Sequence, residues 1–100
     1  MSREIVIEEA VIEAFEKAGW YQRKVMFVGV KGCPDRFLVR KGLCIFIEFK
    51  RPGGVLSGHQ VRRIRELEAH GQEVWIIDDT EVGLNLCQRY TLLSDRQTAA

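Results

Sequence analysis

Residues 32–50 read GCPDRFLVRKGLCIFIEFK, and their reading decides how the chain folds. Phe37–Arg40 and Leu43–Lys50 are rich in aromatic and branched residues, which fit a pleated sheet, so each is a predicted strand. Only Lys41 and Gly42 separate them, close enough for a hairpin. Alternation along the second strand puts Glu48 and Lys50 on one face, about 6.7 Å apart at a ~3.3 Å rise per residue, with Phe49 pointing the other way. Asp35 follows a loop, Gly29–Pro34, that contains two glycines and a proline.

Outward from this hairpin the signals alternate. Ser2 caps a predicted helix to about Ala18, stopped by Gly19, with Ile7, Val11, Ala14, Phe15 and Ala18 in one stripe. Tyr21–Val28 is a predicted strand. After the turn at Arg51-Pro52-Gly53-Gly54, Ser57 and Gln60 form a capping-box signature for a helix to about His70, with Gly71 as its stop. Val74–Ile77 reads as a buried fourth strand, and Thr80 caps a last helix through about Gln88. The order αβββαβα gives an α/β fold with a mixed four-stranded sheet flanked by helices. Residues 1–93 are expected to form one domain and 94–100 a frayed tail.

At 100 residues and 46% hydrophobic content, the chain suits one domain with a modest core. The longest apolar run, Leu43–Ile47, is far short of the ~20 residues that span a bilayer, and the start shows no secretory pattern, so neither a membrane protein nor a secreted one is expected. Three widely spaced cysteines propose neither a disulfide framework nor zinc, and a reducing cytoplasm fits them. The net charge of +1 hides a strong pattern. Residues 21–65 hold eleven basic and two acidic side chains, whereas 1–20 are net −3 and 66–100 net −5. A basic block between acidic ends points to a polyanion bound at one surface.

Asp35, Glu48 and Lys50 suit phosphodiester hydrolysis. Two carboxylates hold a hard divalent cation, the cation neutralises phosphate and acidifies a bound water, and a neighbouring ammonium orients that water or stabilises charge on phosphorus. A structural ion pair is the alternative for Glu48 and Lys50 alone.

The motifs G-C-P-D at 32–35 and I-E-F-K at 47–50, followed by Gln60 opening a helix, resemble the VRR-NUC (virus-type replication-repair nuclease) family of the PD-(D/E)xK nucleases. The resemblance runs from the first helix to about Asp79. It implies a restriction-endonuclease-like core, Asp35 and Glu48 as metal ligands with the backbone carbonyl of Phe49, Lys50 as the catalytic lysine, and Gln60 as an additional site residue. It further implies Mg²⁺ or Mn²⁺, DNA as substrate, and a phage or bacterial role in replication and repair. Similarity to resolvases of the same superfamily favours four-way (Holliday) junctions, and a homodimer would bring two sites to a two-stranded substrate. A module of the same fold that binds nucleic acid without cutting it is the alternative function.

Related nucleases also place a glutamate in the first helix. Of the five here, only Glu4 and Glu8 face the apolar stripe; Glu8, whose spacing before Gly19 is similar to that in archaeal junction resolvases, is chosen as a further metal ligand and catalytic residue beside Asp35 and Glu48, with Glu4 as the alternative. Gln60 has two competent readings, a backbone cap and a site residue. Arg62, Arg63 and Arg65 point away from the stripe of Val61, Ile64 and Leu67 and are candidate phosphate contacts; Lys31, Arg36 and Arg51 are weaker ones.

Overall fold

The structure, a computed structural model, describes residues 3–98. The elements are α1 (Arg3–Lys17), β1 (Tyr21–Lys24), β2 (Arg36–Arg40), β3 (Leu43–Phe49), α2 (Gly58–Ala69), β4 (Glu73–Ile77) and α3 (Thr80–Thr98). Ser2, the expected cap of α1, lies outside the described residues. The sheet order is β1-β2-β3-β4, with β3 antiparallel to β2 and parallel to β4.

The β2–β3 hairpin forms as expected. Arg40 pairs with Leu43, and Lys41 and Gly42 both have positive φ, 50° and 83°. That is the backbone a two-residue turn needs to match the twist of its strands. Register then places Leu38 opposite Ile45 and Arg36 opposite Ile47. Ile45, Ile47 and Phe49 are fully buried on one face. They pack with Ile7, Val11 and Phe15 of α1 and with Leu86, Cys87 and Tyr90 of α3. Alternation turns Cys44, Phe46 and Glu48 to the other face. There α2 lies, opened by Ser57 and closed at His70.

Two boundaries differ from the expected ones. β1 stops at Lys24, not Val28, because its ladder with β2 runs out: Lys24 pairs with Arg36, and one more bond, from the amide of Val25 to the carbonyl of Asp35, closes it at 3.1 Å. Pro34 has no amide to continue the pairing. Conversely α3 runs to Thr98, well past Gln88, and the expected frayed segment begins as helix. Leu86, Cys87, Tyr90 and Ser94 are all buried, a helical spacing that keeps one seam against the core. Arg40 fixes that end, donating to Ala18 O, Ser94 Oγ and Asp95 Oδ1 at 3.0, 2.7 and 2.7 Å. Among the described residues no helix is long and apolar enough to cross a membrane.

Candidate active site

The carboxyl ends of β3 and β4, the start of β2 and the starts of α1 and α2 meet at one end of the sheet. Asp35 stands just before β2 with Pro34 buried behind it, and its Oδ2 accepts from the amide of Phe49 at 2.8 Å. This bond ties the acid to β3 beside Glu48. Lys50 Nζ lies 3.8 Å from Glu48 Oε2. The three residues of the motif are therefore neighbours, although thirteen positions separate the two acids.

Gln60 both caps α2 and contacts Glu48. Its side-chain oxygen accepts from the amide of Ser57 at 2.8 Å and its own amide donates to Ser57 Oγ at 3.1 Å, a complete capping box. The remaining side-chain group, Nε2, donates to Glu48 Oε2 at 2.8 Å. An amide has donors and an acceptor at once, so one side chain can cap the helix and hold the carboxylate.

Glu48 is 3% exposed, and its Oε1 has no hydrogen-bond partner among the described residues. Burial first, and then the negative charge of Asp35, push its pKa up to about 7 despite the nearby Lys50 ammonium. Burial also raises Asp35, partly offset by the Phe49 amide, with Glu8 and Glu4 adding to the rise. Two desolvated carboxylates side by side, one with a buried orphan oxygen, are the donor set a hard divalent cation fits. Such an ion would relieve the repulsion and satisfy Oε1.

Glu8 sits on the α1 side of the sheet and Glu48 on the α2 side, with Asp35 between them at the strand end. Among the described residues no three His, Cys, Asp or Glu side chains gather into a metal-binding cluster. Glu8 is engaged instead by Arg36, whose Nε donates to its Oε2 at 2.8 Å. Glu4 carries the charge that reaches both Asp35 and Glu48. It lines a depression with Arg3, Arg51 and Pro52.

The basic residues separate into two groups. Lys31, Arg51, Arg62 and Arg65 are exposed. Arg36 is tied to Glu8 and to Gln22, whose Oε1 lies 2.7 Å from Nη1. Arg63 is only 11% exposed at its side chain, with a buried Nε and a 3.4 Å contact to Glu66. These two thus face inward: Arg63 is unlike the outward arginine expected from the helical wheel, and Arg36 is engaged within the protein where a phosphate contact was expected. Two further residues at the site had no individual role in the sequence reading, Lys24 as part of the basic block and Gly32 as part of the G-C-P-D motif. Lys24 lines a cleft of ≈ 420 Å³ with Glu8, Met26 and Asp35. Gly32, at φ 93°, packs so tightly on the start of α2 that a Cβ would lie 2.3 Å from the carbonyl carbon of His59. Cys33 is a structural thiol: its Sγ donates to Pro34 O at 3.2 Å, and burial raises its pKa.

The order αβββαβα, a mixed four-stranded sheet flanked by helices with its parallel pair β3 and β4 at one edge, and acids and a lysine where that pair ends, define a class of α/β fold. No protein-family model matches the chain, and no curated protein matches it. A solved structure described as a "VRR_NUC domain" does, with a TM-score of 0.82 at 24% sequence identity, covering 90% of this chain and 99% of that one. Within the class, the chain therefore has the VRR-NUC fold.

Proposed function

We propose that the chain is a DNA endonuclease dependent on Mg²⁺ or Mn²⁺, acting as a homodimer on branched DNA such as four-way junctions. The observation that carries the reading is Glu48: a buried carboxylate with one oxygen orphaned, held by Gln60, set beside Asp35 and within reach of Lys50. Structural ion pairs do not need an acid raised to about 7 against a second acid.

Asp35, Glu48 and the backbone carbonyl of Phe49 would hold the cation, with Glu8 and Glu4 of α1 adding negative potential beside it. When bound, the ion supplies charge neutralisation for the phosphate and a water of lowered pKa. Lys50 is placed to orient the attacking water or to meet charge developing on phosphorus. Gln60 fixes the Glu48 carboxylate through Oε2, and Oε1 has no hydrogen-bond partner among the described residues. Lys31, Arg51, Arg62 and Arg65 are exposed and available to backbone phosphates. Arg36 positions Glu8, and Arg63 braces α2.

Labelled four-way junction, flap and linear duplex, incubated with Mg²⁺, Mn²⁺ or EDTA, test this reading. Metal-dependent cuts near the branch support it, with Asp35→Asn and Lys50→Ala binding the junction but not cutting it. Binding without cleavage under every condition would make the chain a nucleic-acid-binding module. Wild-type rates in both variants would discard the site. Affinity should fall with salt at about −0.9 in log-log slope per neutralised duplex phosphate.

A further inference from the structure

The connection from β1 to β2, residues 25–35, carries aliphatic side chains that folding does not use. Met26 is 84% exposed, Val28 96% and Val30 46%. Each buried CH₂ is worth roughly 0.8 kcal/mol, so leaving these in water forgoes stability that a polar loop would not have offered to begin with. Single exposed apolar residues are common; three at alternate positions around the tip of one loop, two of them almost wholly in solvent, are not.

The tip is held on a firm root. The Val25 amide donates to Asp35 O, and Cys33 Sγ donates to Val25 O at 3.4 Å, which closes the loop across its base. Gly32 seats the returning strand against the His59–Gln60 backbone. The root thus shares its bonds with Asp35 and its packing with Gln60, so the tip stands at a fixed place relative to the proposed cutting site. Met26 and Asp35 line the same cleft. Lys24 and Lys31, both exposed, flank the aliphatic residues on either side.

Cations around an aliphatic centre have a natural occupant in nucleic acid: ammonium groups hold the phosphates while the apolar side chains enter between base steps. A second copy of this chain fits less well, because a two-fold contact at the tip would bring the same lysines face to face. We propose that loop 25–32 is a wedge that inserts Met26 and Val28 into the base stack at a DNA branch point, delivering the adjacent phosphodiester to Asp35 and Glu48. This inference rests on the nuclease reading for the site it serves, but the insertion itself is independent of cleavage.

The test therefore has a metal-free arm. A four-way junction carrying 2-aminopurine at the branch is titrated with protein in EDTA, where unstacking should raise its fluorescence roughly twofold or more. M26S/V28S, whose changes lie in solvent, should bind without that rise. In Mg²⁺ the same variant should cut an intact junction about tenfold more slowly than wild type, and a junction with two unpaired bases at the branch should recover most of the loss. Fluorescence unchanged by wild-type binding, or a rise that the variant retains, overturns the wedge and leaves the nuclease reading standing. A fluorescence rise with no cleavage supports the wedge and overturns the nuclease reading. A shift from dimer to monomer in M26S/V28S, seen by light scattering, makes the tip a contact between copies and overturns it.

Discussion

The Nε2 of Gln60 donates to Oε2 of Glu48 over 2.8 Å, joining the first turn of α2 to the end of β3. The same side chain closes the capping box with Ser57. Helix start and buried acid are thereby one structural unit, and each holds the other in register.

Ser57→Ala removes the cap alone and should cost about 1 kcal/mol. That corresponds to a melting temperature lower by about 4 to 8 °C for a domain of this size. Gln60→Ala keeps the Ser57 Oγ bond to its own backbone amide but removes the reciprocal half of the box and the Glu48 bond together, and should lose at least as much stability, with cleavage down at least about tenfold. Thermal unfolding and cleavage rates of the pair separate the two roles; equal, wild-type cleavage in both would leave Gln60 as a cap only.

Stability of the metal-free protein should fall as pH rises from 5 to 8. Glu48 is raised from the ordinary glutamate value to about 7, so the native state holds its proton where the unfolded chain has released it. Its contribution is complete below about 4.5 and lost through about 7, on the order of 2 to 3 kcal/mol. Asp35 shifts in the same sense. Urea unfolding of wild type and Glu48→Gln across this range is the check: the variant should show a flatter profile and be the more stable of the two at pH 8.

Mn²⁺ or Mg²⁺ should raise the melting temperature at pH 8 and do so less at pH 5, since the ion must compete with the proton on Glu48. At a hundred times its dissociation constant a single site adds about 2.7 kcal/mol. Asp35→Asn should abolish the effect. Glu4→Gln should weaken it more than Glu8→Gln, because Arg36 already neutralises Glu8. Calorimetric titration of the two variants decides the order, and the reverse order would assign the ion to the α1 side of Asp35.

Gly32→Ala and Gly83→Ala both place a methyl group in occupied space, with different consequences. At Gly83 the new Cβ meets the Val11 side chain at 2.4 Å, which α1 and α3 can relieve by sliding apart, for about 1 to 3 kcal/mol less any gain in helix propensity. At Gly32 it meets the His59 backbone, and φ is positive, so the loop must leave α2. Thermal unfolding should show the larger loss for Gly32→Ala, with binding of Mn²⁺ lost alongside; Gly83→Ala should keep it.

Removing residues 94–100 should cost at least about 2 kcal/mol, not the near-zero change of a loose tail. Ser94 is fully buried, and Arg40, 17% exposed at its side chain, would lose two of its partners. Denaturant unfolding of the shortened chain measures this, and an unchanged midpoint would show that α3 is anchored by Leu86, Cys87 and Tyr90 alone.

What the amino-acid order determined by itself is what short-range physics writes: the alternation of β3, the Lys41-Gly42 turn, the stripe of α1, the Ser57–Gln60 box and the placing of Glu48 and Lys50 on one side of a strand. These depend on residues one to four apart and survive without knowledge of the fold. Only the tertiary structure decided how far β1 and α3 extend, since one needs a partner strand and the other a core seam to lie on. It also decided that Arg36 serves Glu8, that Arg63 turns inward, and that Glu8 and Glu48 stand on opposite sides of the sheet. Those outcomes hang on register and packing between residues far apart in the chain, and a helical wheel, which knows only one element at a time, cannot contain them.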